Sequence, residues 1–258
     1  MEITDFKMDF FSLNNKTAII TGGNSGLGRA FSVALASAGA NIFVPTISDD
    51  NGETQKLVED RGRKFTSLKI DITENGAPKK VIDKCLETFG SVDILINSAG
   101  INILDKVESF NREKWDPMIK LNLTAAFEMA YETSKIMKEN QSGKIINICS
   151  LFSFLGGQMS PAYAATKHGL AGFTKAYCDE LGRYNIQVNG IAPGYFATEL
   201  TEKTRNNPEN NKKIIDHIPA KRWGEPLDLM GTTVFLSSPA SNYINGHILS
   251  VDGGYLVR

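Results

Sequence analysis

Tyr163 and Lys167 stand four residues apart in the run Tyr163-Ala164-Ala165-Thr166-Lys167, and Ser150 precedes the tyrosine by 13 residues. Residues four apart share a helix face, so the ammonium can lie beside the phenol and favour its ionised form. A phenol poised in that way gives or takes a proton. If the apolar run ending Ile145-Ile146-Asn147-Ile148-Cys149 is a strand that delivers Ser150 to the same cleft, the serine hydroxyl can hold a substrate oxygen while the tyrosine moves the proton. This division of labour suits hydride chemistry on an alcohol or ketone. An isolated Y-x-x-x-K says little, because any amphipathic helix can carry one. The rest of the chain has to supply the context.

Near the amino terminus, the strand-like run Lys16 to Thr21 leads into Gly22-Gly23-Asn24-Ser25-Gly26-Leu27-Gly28, followed by a helical run from Arg29 to Ala38. Glycines let a backbone turn tightly and approach a pyrophosphate, whose charge the amides and dipole of the helix amino terminus can hold. Six further strand-like runs follow: Asn41 to Pro45, Phe65 to Ile70, Val92 to Asn97, Lys144 to Cys149, Ile186 to Ile191 and His247 to Val251. Helical stretches separate most of them. Nearly continuous apolar strands belong to a parallel sheet covered on both faces, which predicts a single α/β domain with a doubly wound, seven-stranded sheet. Ligands of such sheets bind beyond the carboxyl ends of the strands, where Gly22, Asn97, Ser150 and Pro193 would all fall. Asp116-Pro117 reads as the cap and first-turn proline of the helix that carries Asn122.

The 258 residues are 41% hydrophobic, enough for one large core, and the net charge of −1 gives no electrostatic case for nucleic acid or an anionic membrane. A small-molecule substrate is expected. Cys85, Cys149 and Cys178 are scattered, without metal-ligand spacing, so a disulfide framework or zinc site is not expected and the thiols should be reduced. The opening MEITDFKMDFFSLNNK lacks the basic-then-apolar pattern of a secretory signal, and no run has membrane-spanning length, so a cytoplasmic location is expected.

Taken together these motifs resemble the short-chain dehydrogenase/reductase family, from Phe11 to the end of the chain. Asp71-Ile72-Thr73, Asn97-Ser98-Ala99-Gly100, Lys120-Leu121-Asn122 and Pro193-Gly194 ahead of Thr198 join the glycine turn and the Y-x-x-x-K in the family's order. The resemblance implies a nicotinamide dinucleotide and a catalytic set of Asn122, Ser150, Tyr163 and Lys167. It implies that Gly22, Asn24, Ser25, Gly26 and Leu27 form the phosphate turn and that Thr46 lies at the ribose. Asp71 and Ile72 would flank the adenine, and Asn97, Ala99 and Gly100 would line the cofactor. Pro193, Gly194, Phe196 and Thr198 would pass the nicotinamide, Tyr163 and Lys167 would touch it, and Lys167 would bind its ribose. Asn122 would hold a water that relays protons through Lys167. Ser98 stands where the family usually has a second asparagine. Relatives are typically tetramers built on the long helices that carry Asn122 and Tyr163, so a homotetramer is expected.

At the end of the second strand an acidic residue favours the free 2′-hydroxyl of NAD and an arginine accommodates the phosphate of NADP. Thr46 holds the acidic position and no arginine follows, so NAD is favoured and NADP is not excluded. Arg29 reads as a solvated or helix-packing residue. Within the family the chain is most similar to sugar-acid dehydrogenases of the gluconate 5-dehydrogenase and 2-dehydro-3-deoxy-gluconate 5-dehydrogenase kind. Those relatives commonly carry two arginines after the N-x-A-G turn, where this chain has Asn102-Ile103. A bidentate carboxylate grip is not replaced by asparagine, so the substrate is either a neutral polyol or ketose, or an acid held by Lys106, Lys203, Arg205 or Arg222. Reduction of a 3-oxoacyl group on a carrier protein and a non-catalytic dinucleotide sensor are the other readings. The polar segment 199–218 reads as a lid or a solvated loop. Tyr195, Phe154, Gln158 and Met159 are candidates to line the cleft, and Trp223 and the Val251-Asp252-Gly253-Gly254 turn to pack subunit contacts. His168, next to Lys167, should face elsewhere on its helix.

Overall fold

The computed structural model describes residues 5–258, apart from the side chain of Leu200; Met1 to Thr4 of the opening stretch lie outside the described residues. Seven strands form one parallel sheet: β1 (Thr17–Ile20), β2 (Asn41–Thr46), β3 (Phe65–Lys69), β4 (Ile94–Asn97), β5 (Gly143–Ile148), β6 (Ile186–Pro193) and β7 (Ile248–Val251). Their order is β3-β2-β1-β4-β5-β6-β7, the doubly wound arrangement the apolar runs predict. Strand ends differ from the expectation by a residue or two. Bonds outlast the ladder at some of them: the Asn41 amide donates to the Lys16 carbonyl and the Asp93 amide to the Thr17 carbonyl.

Alternate residues of each strand feed opposite faces, which is why the runs are apolar throughout. Ile20, Ile42, Ile96 and Ile146 pack in one cluster with Phe31, Leu35, Leu229 and Leu236 of helices α1 (Gly26–Ser37) and α9 (Pro226–Ser237). Ile19, Phe43, Leu95 and Ile145 pack in the other, with Val81 and Ile82 of α3 (Ala77–Phe89) and Met129 and Met137 of α5 (Ala126–Glu139). Each fully buried side chain of this size contributes roughly 1.5–3 kcal/mol, so the two layers fix the sheet on which the cleft is built. Among the described residues no helix is long and apolar enough to cross a membrane.

The Asp116-Pro117 expectation is corrected. Helix α4 runs from Arg112 to Met118 behind Asn111, with Pro117 inside it. A proline at that depth removes one main-chain donor and crowds the carbonyl four residues back. The helix continues as a π-helix from Ile119 to Ala125, with Asn122 in its middle, before α5 resumes. Segment 199–218 is also more regular than a loop. A 3-10 turn (Glu199–Thr201) leads into α7 (Glu202–Arg205) and α8 (Pro208–His217), and neither helix has a buried residue.

Candidate active site

Ser150 stands two residues beyond the end of β5 and caps a 3-10 turn, Leu151–Ser153. Its Oγ accepts the Phe152 amide at 3.3 Å. Ser153 couples this turn to helix α6 (Pro161–Leu181): its Oγ accepts the Ser150 amide at 3.3 Å and donates to the Lys167 carbonyl at 2.8 Å. Lys167 is only 6% exposed, and its Nζ donates to the Ile148 carbonyl at 2.6 Å. The same ammonium lies 5.3 Å from the centre of the Tyr163 ring, and Phe152 meets that ring edge-on at 6.0 Å. Among the described residues no carboxylate forms an ion pair with Lys167. Its charge is therefore left to the phenol and the main chain. Cys149 is adjacent, yet burial outweighs the lysine and pushes its thiol up to about 11, so it is no nucleophile.

Asn122 is 2% exposed and spends its side-chain amide mainly on Ile101, with its Nδ2 also donating to the Thr166 hydroxyl at 3.5 Å. Its Oδ1 accepts the Ile101 amide at 2.9 Å and its Nδ2 donates to the Ile101 carbonyl at 2.8 Å. It thereby clamps the loop after β4. Asn97 donates to Asn147 Oδ1 at 2.9 Å and to the Ala126 carbonyl, and Asn147 donates in turn to Thr174 on α6 at 2.9 Å. Asn97 Oδ1 is buried without a partner. Thr21 Oγ1 accepts the amides of both Ser98 and Ala99 at 2.9 Å, which braces the turn in which Ser98 replaces the usual asparagine.

The residues between β1 and α1 fit a dinucleotide phosphate. Gly22 and Gly26 have φ of +65° and +48°, and a Cβ on Gly28 would stand 2.2 Å from the Gly22 carbonyl oxygen. Only glycine permits that approach of helix to turn. Asn24 and Thr46 serve the turn itself: the Thr46 hydroxyl donates to Asn24 Oδ1 at 2.9 Å, and Asn24 Nδ2 donates to the Ser48 carbonyl at 2.9 Å. Arg29 packs α1 against α2 (Glu53–Glu59), donating to the Asn24 carbonyl at 2.9 Å and pairing with Glu53 at 2.7 Å and Asp50 at 3.5 Å. Asp71 accepts the Thr73 amide, which holds its carboxyl below the usual range, and Ile72 is buried in the core.

Pro193 ends β6, and Gly194 lies against Asp252 so closely that a Cβ would meet its Cα at 2.7 Å. Phe196 turns its ring into the core, 4% exposed, so only its main chain is left to line the loop beside the cleft. Thr201 Oγ1 binds the Phe196 and Thr198 carbonyls and so fixes that loop. Tyr195 packs on Trp223 and Tyr255 at 5.5 and 5.3 Å, and burial, with Tyr255 beside it, pushes its phenol up to about 12. Trp223 donates to Asn211 of α8 at 2.7 Å, an anchor within its own chain. Phe154 and Met159 are about half exposed, and His168 remains on the exposed side of its helix.

Several of these braces escape a reading of motifs. Ser153, Thr21, Asn147 and Thr174 act through main-chain atoms or through each other, and nothing in their types sets them apart from other buried polar residues. Ser153 left a trace in its three-residue spacing from Ser150, the spacing of reciprocal capping.

A glycine-rich turn after β1, a serine beyond the end of β5 and a Tyr-Lys pair on α6 define a nicotinamide oxidoreductase. The family profile described as short chain dehydrogenase matches residues 16–209, and the chain belongs to that family. It is an NAD(P)-dependent oxidoreductase acting on CH–OH groups. "Uncharacterized oxidoreductase YgcW" of Escherichia coli (strain K12) is 67% identical over 253 residues, covering 98% of this chain and 97% of that protein. The 2-dehydro-3-deoxy-D-gluconate 5-dehydrogenase of Bacillus subtilis (strain 168) is 45% identical, covering 97% and 98%. A solved gluconate 5-dehydrogenase from Burkholderia cenocepacia J2315, in complex with NADP and tartrate, is 35% identical with a TM-score of 0.92, covering 97% of this chain and 98% of that one.

Proposed function

We propose that this protein interconverts a secondary alcohol and a ketone on a sugar acid of the gluconate or 3-deoxy-2-keto-gluconate type, with NAD as its cofactor. The observation that carries the reading is the braced set of Ser150, Tyr163 and Lys167, in a chain that two gluconate-named relatives match over 97% of its length.

In the reducing direction, the Ser150 Oγ already accepts from the Phe152 amide, so its own hydrogen is available to the substrate carbonyl oxygen. Tyr163 donates its phenolic proton to the alkoxide as it forms, and Lys167 stabilises the phenolate that remains. The bound nicotinamide supplies the hydride in this direction and accepts it in the other. With its side-chain amide spent on Ile101, Asn122 serves the proton relay only through its main chain. Ser25, Gly26 and Leu27 would hold the pyrophosphate by their amides, while the Gly22 amide donates to the Pro45 carbonyl at 3.1 Å and shapes the turn, and Asp71, Ala99, Gly100, Gly194 and Thr198 would complete the cofactor cleft.

The choice of NAD rests on Arg29. Asp50 and Glu53 already pair with it, which leaves it unavailable to a 2′-phosphate. Helices α7 and α8 form the lid over substrate, anchored at Trp223. Association to a tetramer is supported by α5, where Phe127 and Tyr131 are 43% and 49% exposed yet stack with each other, and Phe127 meets Phe173 and Tyr177 of α6 edge-on. Light scattering should give several times the 28.3 kDa chain mass.

The test is the initial rate of NADH and NADPH oxidation with 5-keto-gluconate, 3-deoxy-2,5-diketo-gluconate and matching neutral ketoses. The expected result is turnover of a keto acid with NADH. Preference for a neutral ketose overturns the substrate, and activity with NADPH alone overturns the cofactor.

A further inference from the structure

The substrate proposed above carries a carboxylate, and the position where the resemblance to sugar-acid dehydrogenases implies an arginine pair is spent otherwise. Asn102 accepts the Ser160 hydroxyl, and close by the Asp105 amide donates to the Met159 carbonyl at 2.8 Å. That stretch ties the loop after β4 to the loop before α6 and offers no cation. Four basic residues from the sequence remain, and the structure separates them. Arg222 is consumed by Asp228, with guanidinium nitrogens 2.6 and 2.9 Å from the two carboxylate oxygens. Lys106 and Lys203 are exposed, and an exposed ammonium is a strongly hydrated point charge.

Arg205 differs from all three. It ends α7, and one terminal nitrogen donates to the carbonyl of Thr198 at 3.1 Å, on the loop that leaves β6 at the cleft. Its Nε is buried and has no hydrogen-bond partner. No carboxylate among the described residues pairs with it, although Glu199 and Glu202 lie within six residues along the chain. A buried guanidinium N–H without an acceptor is costly, and a planar fork with free donors is the group that grips a carboxylate through two parallel bonds. The Thr198 carbonyl fixes one end of that fork against the loop that leaves β6.

We infer that Arg205 binds the carboxylate of the substrate from the lid, in place of the missing arginine pair. This rests on the sugar-acid reading above. The Thr198 contact sets the fork's direction, so acid recognition and lid position are linked: a sugar acid draws α7 inward through Arg205, and a neutral ketose has no such hold. The grip is a positioning device for the ketone end, since a carboxylate pinned at the lid fixes where the distal carbon meets Ser150 and Tyr163.

The experiment compares kcat/KM for 5-keto-gluconate with kcat/KM for the ketose that has a hydroxymethyl group in place of the carboxylate, in the full-length enzyme with saturating NADH. In Arg205→Met the acid-to-neutral ratio is expected to fall about ten- to hundredfold, the usual worth of a charge-assisted bond. Arg205→Lys keeps the charge without the fork and should fall less. A fluorescence titration of NADH and NADPH without substrate provides the second readout. An equal fall on both substrates, or a loss confined to dinucleotide binding, overturns the inference. If the wild type prefers the acid and Arg205→Met keeps that preference, the inference fails and the sugar-acid function stands. If the wild type turns over no sugar acid, the function fails and takes this inference with it.

Discussion

On the floor of the cleft, Ser150 and Lys167 are tied to the main chain of neighbouring elements and Asn122 clamps the Ile101 peptide from both sides. On the rim, Lys106, Lys203, Phe154 and Met159 are exposed. The floor uses side chains to hold backbone and backbone to hold side chains, so a displaced group disturbs two strands and a helix. The rim stands on short helices and loops that can change without touching the sheet. Chemistry common to a whole family belongs on the first kind of surface and substrate choice on the second.

Four substitutions sharpen or break that contrast. The largest effect is expected from Tyr163→Phe, which removes the proton donor and leaves the ring's packing on Phe152. Turnover should fall roughly a hundred- to ten-thousandfold with dinucleotide binding retained, checked by steady-state rates and fluorescence titration. Retained turnover would take Tyr163 out of the mechanism. Ser153→Ala touches neither substrate nor cofactor, yet it leaves the Ser150 amide and the Lys167 carbonyl without their shared partner. It should cost about 1–3 kcal/mol in denaturant unfolding and about tenfold in kcat. A loss of stability alone would mean that the floor tolerates more play than its bonds suggest.

Met159→Ala probes the rim. Its side chain is 46% exposed, and the change should stay within about twofold in kcat/KM. A larger loss on one substrate would make Met159 a cleft residue after all.

The smallest effect on rate is expected at the far end of the sheet. Lys144 is the second residue of β5, donates to Asn242 Oδ1 at 2.9 Å and is 8% exposed. Burial pulls its ammonium from 10.5 down to about 8. The folded value lies below the unfolded one, so between about pH 8 and 10.5 the unfolded chain holds more protons and this site makes stability rise with pH. Cys85 works the other way. Burial pushes its thiol from 9.0 to about 12, so above pH 9 it makes stability fall. The difference in melting temperature between wild type and Lys144→Met cancels the cysteine. That difference should climb in favour of the wild type through pH 8–10.5, with activity at pH 7 held.

Much of this was legible because it rests on composition along single elements. Ile94-Leu95-Ile96-Asn97 must be covered on both faces whatever surrounds it, and the Tyr163-to-Lys167 spacing fixes one helix face. Two proline pairs show where reading fails. Asn207-Pro208 begins α8, with the Asn207 side chain accepting the Asn210 amide at 3.0 Å, and it lay unused inside the segment read as a lid or loop. Asp116-Pro117 looks alike and sits inside a helix that Asn111 had already begun. The dipeptide is the same kind of signal in both places, and what decides is the preceding turn. Ring direction was likewise invisible: Phe196 sits in a loop of cleft residues and turns to the core.

The π-helix from Ile119 to Ala125 carries a consequence for how the molecule is geared. An ordinary helix advances about 100° per residue, so the wide turn shifts the angular phase of everything after it. Upstream lies Met118, which receives the Ile103 amide; within the wide turn lies Asn122, locked on Ile101; downstream come Phe127 and Tyr131, facing out with Phe173 and Tyr177. Removing a single residue from the wide turn would swing the outward aromatic face by about 100° against the inner clamp. The inner clamp and the outer aromatic face thus turn on one shaft, and the π-helix sets their timing.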